Sequence, residues 1–320
     1  MILICDFVTE VSALGGYNKA KKRRHDIQGG NPMNYSAMIQ NRKSVRAFTD
    51  KKVPYSVAQE IETYYQTSVK RLVPQLETEL YIFRDDVKSA LEGAAGYNQF
   101  LVGAPQYLVL LSEKDELAEI NAGFIMEDLV LNLTDMDLDT CWVTFTDSEQ
   151  VKEALGIESS KDVAAIVAFG YGVKTTKRLR LNIKSMSNVD VAAKHRYVEP
   201  KRGIHDMVFL NTWGNTRKLD EHIGFFDDIL WESFYAATLA PSYLNRQAYG
   251  FVIHNGGISL VSRPDAYNTE IDGKLSLGIV LLHFTAVAEI RAGKVPWHFG
   301  ASAEGLQLPQ GHELIVTAIL

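Results

Sequence analysis

Two rhythms of apolar and polar positions run along this chain. Residues 106–111 (QYLVLL), 140–145 (TCWVTF) and 163–171 (VAAIVAFGY) are short, nearly unbroken apolar runs bounded by turn residues. That is the pattern of strands buried on both faces. Residues 79–83, 249–253, 258–261, 296–299 and 313–320 read as further strands, and His254-Asn255-Gly256-Gly257 is a hairpin signal between two of them. The second rhythm is helical. Residues 35–41 form a short helix. In residues 56–69, apolar positions fall at Val57, Ile61, Tyr64, Tyr65 and Val69, with Pro54 as an early helical residue. Residues 149–155 form a helix capped by Asp147 or Ser148, and residues 219–239 form another. Two long stretches, 115–136 and 275–290, are apolar over too much of their circumference for surface helices and belong in the core.

The order of these elements repeats. Residues 106–145 run strand, polar segment, long apolar helix, tryptophan-bearing strand. Residues 258–299 run through the same order, with Trp142 answered by Trp297. The repeat is one of pattern, not identity. It predicts two related halves that pack their long helices together, as a homodimer joined into one chain would. The expected organisation is an N-terminal extension at 1–32, a first half at 33–200 and a second at 201–320. Residues 1–32 place an apolar stretch before the basic run 19–25 (KAKKRRH), the reverse of a secretory signal. They read as a flexible extension, and Met33 is an alternative start. Residues 173–200 are polar and basic and read as a surface connector.

Composition narrows the classes. The 320 residues are 46% hydrophobic and 22% charged, ordinary for a globular protein. A net charge of -6 argues against nucleic acid as the main partner. The two cysteines, Cys5 and Cys141, make no disulfide framework, which fits a reducing cytoplasm. No apolar run reaches the roughly 18 residues a membrane span needs. The histidines show no ligand spacing for zinc, and His283 and His298, on apolar elements, read as satisfied core or pocket groups. No Gly-x-Gly-x-x-Gly follows a strand, so a resident dinucleotide is not expected.

Two segments about two hundred residues apart carry candidate chemistry. Arg42-Lys43-Ser44-Val45-Arg46 offers cations and a hydroxyl, groups suited to a phosphate. In an extended backbone Arg42, Ser44 and Arg46 share one side and Lys43 the other. Alone, such a cluster is equally a solvated basic turn. Residues 240–247 (APSYLNRQ) offer the amides of Asn245 and Gln247, which both donate and accept and so suit the edge of a polar ring. Alone, this too is an ordinary loop after a helix.

Together the segments resemble the FMN-dependent nitroreductase family. Residues 39–54 (IQNRKSVRAFTDKKVP) are similar to its opening signature, and residues 240–251 (APSYLNRQAYGF) to its second, which in that family reaches the flavin from the partner subunit. Residues 104–111, the helix from Ala122, Cys141-Trp142 and residues 151–157 (VKEALGI) also match its core, and Lys201-Arg202 resembles a basic element that closes on the phosphate. The first half lacks the Asn-x-Gln of the second signature at residues 69–76 (VKRLVPQL). The second half lacks an Arg-x-Ser-x-Arg. These complementary losses resemble a tandem branch of the family, a fused pseudo-dimer with one intact flavin site.

The resemblance implies an α+β fold with a central, mostly antiparallel sheet flanked by helices. It also implies an enzyme that passes electrons from NADH or NADPH, as transient co-substrates, through FMN to a nitroaromatic, quinone or similar small acceptor in a ping-pong scheme. Arg42, Ser44 and Lys43 would serve the phosphate and ribityl end, and Arg46 the pyrimidine edge. Pro241, Ser242, Asn245 and Gln247 would contact the flavin from the other half. Lys201 and Arg202 would complete the phosphate site, and the backbone around Thr144 would face the reactive nitrogen. No side-chain acid or base is expected. The fused arrangement implies a chain able to act as a monomer, in the cytoplasm, with neither nucleic-acid nor membrane partners. Two rivals stand beside this: an FMN carrier or sensor without turnover, and a structural protein with both sites lost. Ala248, where the family has proline, and the departing first-half loop keep both rivals open.

Overall fold

A computed structural model describes residues 33–84, 87–97, 100–174, 177–185, 188–195, 200–217, 219, 228–255 and 257–319. The extension 1–32 and most of the 219–239 helix's first half lie outside the described residues.

Helix α1 (Tyr35–Asn41) opens on Asn34, whose side chain accepts the Ala37 N–H. That satisfies one of the orphan donors at a helix start. Helix α2 (Tyr55–Thr67) begins one residue after Pro54, which takes the N-cap place with extended backbone instead of lying inside the helix. A four-stranded sheet follows, built from β1 (Thr78–Phe83), β2 (Gln106–Ser112), β3 (Asp139–Val143) and β4 (Asp162–Gly170). Its order is β1-β2-β4-β3 and every neighbouring pair is antiparallel. Alternate residues go to opposite faces. Leu80, Ile82, Leu108 and Leu110 face α2 and the core helix α4 (Ala118–Asp135). Tyr81, Phe83, Tyr107 and Val109 face the short α3 (Val87–Leu91) and α5 (Ser148–Leu155). Of the two caps expected for α5, Asp147 makes the bonds, accepting from the amides of Glu149 and Gln150. Strand β3 stops at Val143, and Phe145 pairs only through an isolated bridge to Ala95.

The expected connector contains regular structure: β5 (Lys177–Ser185) and β6 (Asn188–His195) form an antiparallel pair. Beyond it, α6 (Asp228–Leu239), β8 (Tyr249–His254), β9 (Gly257–Ser262), the long α7 (Glu270–Ala292), β10 (Trp297–Phe299) and β11 (Glu313–Ile319) follow in turn. The second sheet runs β10-β11-β9-β8, which retraces β3-β4-β2-β1 with the same antiparallel senses. A fifth strand, β7 (Val208–Leu210), joins parallel to β8.

Helices α4 and α7 make the most extensive contact between elements. Glycines set their approach: a Cβ on Gly278 would lie 1.9 Å from the Ile120 carbonyl oxygen, and one on Gly123 would lie 2.3 Å from that of Leu275. No side chain fits there, so the backbones touch. Helix α7 is long and apolar enough to cross a membrane, with a mean hydropathy of 1.5, but 78% of that window is buried within the protein. Its apolar face is met by α4, α6 and the second sheet, in one cluster that also takes Tyr35, Met38 and Ile39 from α1.

Candidate functional site

The backbone after α1 is drawn along the open edge of β3. Ser44 bridges Thr140, the Val45 N–H donates to the Thr140 carbonyl at 2.9 Å, and Thr49 and Val173 continue the ladder with Tyr171 and Ala47. This extended run sets Arg42 and Arg46 near Cys141. The thiol, fully buried, is pushed up by burial and drawn back by both guanidinium groups. Lys43 and Ser44 face solvent. Arg42 Nη1 is 3.4 Å from Ser44 Oγ, and its Nε is buried without a hydrogen-bond partner, 3.6 Å from Glu127 Oε1.

Glu127 lies wholly inside α4 and organises this end of the site. Trp142 Nε1 donates to its Oε2 at 2.8 Å, and its Oε1 faces His283 Nε2 at 2.9 Å. His283 Nδ1 is 3.0 Å from the Ala236 carbonyl, which can only accept. Nδ1 therefore carries a proton, and a second proton must lie between Nε2 and Oε1, since two acceptors would repel at that distance. A polar chain thus runs from Arg42 through Glu127 and His283 to Ala236 on α6. His283 is the satisfied core residue expected, but His298 is exposed.

One turn beyond Ala236, α6 ends at the second segment. Lys201 Nζ donates to the Ala240 carbonyl at 2.8 Å. Gln247, 1% exposed, accepts from the Arg202 N–H through Oε1 and donates through Nε2 to the Thr238 carbonyl. Asn245 Nδ2 donates to the Pro200 carbonyl at 2.8 Å, and Ser242 Oγ accepts the Gln247 N–H. Pro241 is buried. The amides of Asn245 and Gln247 therefore stitch residues 200–202 to this loop; their bonds are to protein. Leu244, Asn245 and Gln247 all have positive φ, of 49°, 57° and 46°. Such a run of non-glycine residues stores strain that the surrounding bonds must hold.

Cations gather at this end of the site. Arg263, bonded to the Gln247 carbonyl, is held down to about 10 by its own burial first and then by the charge of Arg202. Like charges set this close favour an anion between them. With Lys201 beside them, and with the Arg42 guanidinium at the first segment, the donor set is of the kind that suits a phosphate.

Thr144 forms a further contact between the halves. Its carbonyl accepts the Gly96 N–H at 2.7 Å, and its hydroxyl donates to Asp272 Oδ2 at 2.7 Å. Asp272 also accepts from Thr269, the N-cap of α7, yet burial pushes its carboxyl up. Tyr243, pushed up by burial and by Asp272, sits with its ring 6.1 Å from that of Tyr97. Tyr97 follows Gly96, whose N–H meets the Thr144 carbonyl, so the ring pair lies near that backbone. Sequence alone did not single out Glu127, Asp272, Arg263, Tyr97 or Tyr243 as site residues; the one visible signal was charge inside helices otherwise apolar.

A sheet of order β1-β2-β4-β3, answered by a second of the same order and joined across two core helices, is a nitroreductase-like α+β fold. The family model described as "Putative TM nitroreductase" matches residues 34–208, and the chain belongs to that family. A solved structure from Thermotoga maritima, described as a "putative nitroreductase", is 23% identical over 94% of this chain and 99% of its own, with a TM-score of 0.54. A nitroreductase family protein from Clostridium difficile 630 is 18% identical over 45% of this chain and 87% of its own, with a TM-score of 0.38. An FMN-dependent nitroreductase from Clostridium difficile R20291 is 16% identical over 44% and 89%, with a TM-score of 0.37. A search of curated proteins finds no match.

Proposed function

We propose that the chain is an FMN-dependent oxidoreductase, taking electrons from NADH or NADPH and passing them to a nitroaromatic, quinone or similar small acceptor in a ping-pong scheme. FMN, when bound, supplies the hydride-accepting ring and the electron relay. The chain's own residues bind and orient it. Arg42, Ser44, Lys201 and Arg202 serve the phosphate, with Lys43 at the solvent side. Arg46 sets a cation at the pyrimidine edge, where negative charge develops on reduction. Pro241, Ser242 and Asn245 form the wall from the other half, with Gln247 fixing the loop behind them. The backbone at Thr144 faces the ring, and Tyr97 and Tyr243 limit water there. Pooling both half-sites in one chain carries the further reading that this is a fused pseudo-dimer with one flavin, its halves at 33–200 and 201–320.

The observation that carries this reading is the stitching of the two distant segments: Arg42 to Glu127 to His283 to Ala236, and Lys201 to Ala240 four residues on. Each segment alone is a turn; joined they form a cationic cradle beside a flat aromatic wall. The amides of Asn245 and Gln247, bonded to protein, favour a binding role built on shape and charge over direct readout of the ring.

Purified protein should be yellow, hold one FMN, and bleach anaerobically on adding NADH or NADPH. Arg42→Ala should weaken FMN at least tenfold, since a charge-assisted bond contributes about 1.5–3 kcal/mol. A colourless protein that takes up no FMN would overturn the proposal. A yellow protein that neither nicotinamide bleaches would be the carrier instead.

A further inference from the structure

A cavity of about 650 Å³ lies among residues none of which belongs to the site above. Its walls come from the loop after α2, the end of α7 and the approach to β10. The relation between the two long helices shows what this place is. Ile120 meets Gly278, and Leu275 meets Gly123. Ile120 and Leu275 lie 155 residues apart, as do Gly123 and Gly278, and as do Trp142 and Trp297. Reciprocal contacts of this kind mark a two-fold relation. Under it, Val295–Trp297 stand where Thr140–Trp142 stand in the first half, and the loop of Lys70 to Pro74 stands where residues 241–246 stand in the second.

In the first half that position is covered by Arg42 and Ser44 running beside Thr140. In the second, β10 is the outermost strand, and no described strand pairs with its free edge. The buried chemistry has changed too. The residue 155 positions after Glu127 is Leu282, and Trp297 Nε1 donates to Thr285 Oγ1 at 2.8 Å where Trp142 donates to a carboxylate. With no buried anion to hold an arginine, the cradle is gone and open space is left.

What lines that space is mostly apolar and cationic, with Glu289 its one carboxylate and Thr285 its hydroxyl among the described residues. Leu72, Phe124 and Trp297 supply flat and aliphatic wall. Of the three cations, Lys70 is paired with Glu289. Arg71 bonds the Thr78 hydroxyl and the Tyr65 carbonyl and lies over the Tyr65 ring, and it has no carboxylate partner among the described residues. Lys294 is exposed and forms no ion pair among the described residues. The volume falls inside the roughly 300–1,000 Å³ of ordinary small-molecule sites. We propose that this cavity is a second ligand site that binds a small aromatic carboxylate, its ring against Trp297 and Phe124 and its carboxylate toward Lys294 and Arg71. The proposal is independent of the flavin reading.

The test titrates the full chain with 1-naphthoate, read by calorimetry and by tryptophan fluorescence, with FMN uptake measured in parallel. One naphthoate per chain should bind, and Lys294→Glu should weaken it at least tenfold and leave FMN uptake unchanged. Trp297→Leu should remove the fluorescence response that belongs to the site. Absence of naphthoate binding at millimolar concentration would overturn the proposal, as would equal affinity in Lys294→Glu. A second FMN per chain that naphthoate displaces would also overturn it, making the cavity a flavin site.

Discussion

At the scale of single residues, Asp272 ties the two halves and pays for it in solvation. It is 6% exposed, and burial raises its carboxyl above the ordinary range although Thr144 and Thr269 both donate to it. A raised carboxyl means the folded chain binds its proton more tightly than the unfolded chain does. Its contribution to stability is therefore fully present below the ordinary carboxylate range and is lost as pH rises from there through the raised value. Asp272→Asn keeps an acceptor for both hydroxyls and removes the titration. Urea unfolding across that window should show the wild type losing stability relative to the variant as pH rises; parallel curves would refute the assignment. In the sequence this residue reads as an ordinary capping group, a carboxylate near a helix start. Its partner Thr144, 128 residues earlier, is what changes its meaning.

At the scale of elements, the α4–α7 crossing is the tightest joint among the described residues. Gly278→Ala would push a methyl group into the Ile120 carbonyl, with Phe124 N and the Ile120 carbonyl carbon also within 3 Å. Both neighbours are backbone, so relief requires shifting a helix. Overpacking of this kind costs about 1–3 kcal/mol or more. Chemical denaturation of Gly278→Ala should show that loss, and Gly273→Ala on the same helix, whose Cβ would meet only Asn268 at 3.9 Å, should not. Most strands and both core helices were legible from period and apolar content, because they are buried on more than one side and nothing dilutes the pattern. The β5–β6 pair was missed although Leu179, Leu181 and Ile183 alternate with polar residues. Its basic composition outweighed a period-two signal that was present.

At the scale of the whole molecule, the polar chain through Glu127 and His283 spans 156 residues of sequence and joins α4 to α6 and α7. Removing one partner of a buried hydrogen-bonded pair leaves the other unsatisfied, at about 1–3 kcal/mol. Glu127→Gln and His283→Asn should each destabilise strongly, and a double-mutant cycle should return a coupling of about 0.5–3 kcal/mol. Purely additive effects would mean that the pair does not act as a unit. The two signature segments were readable because each keeps a compact local pattern. Their joining was not, since Glu127 and His283 sit inside apolar helices and find each other only after folding. The glycine crossing bears on descent as well as on stability. Where two helices meet backbone to backbone, the distance between the half-sites is set by atoms common to every residue type. Side chains around the rim can then drift, one cradle emptying and the other filling, while the frame that sets them apart stays the same width.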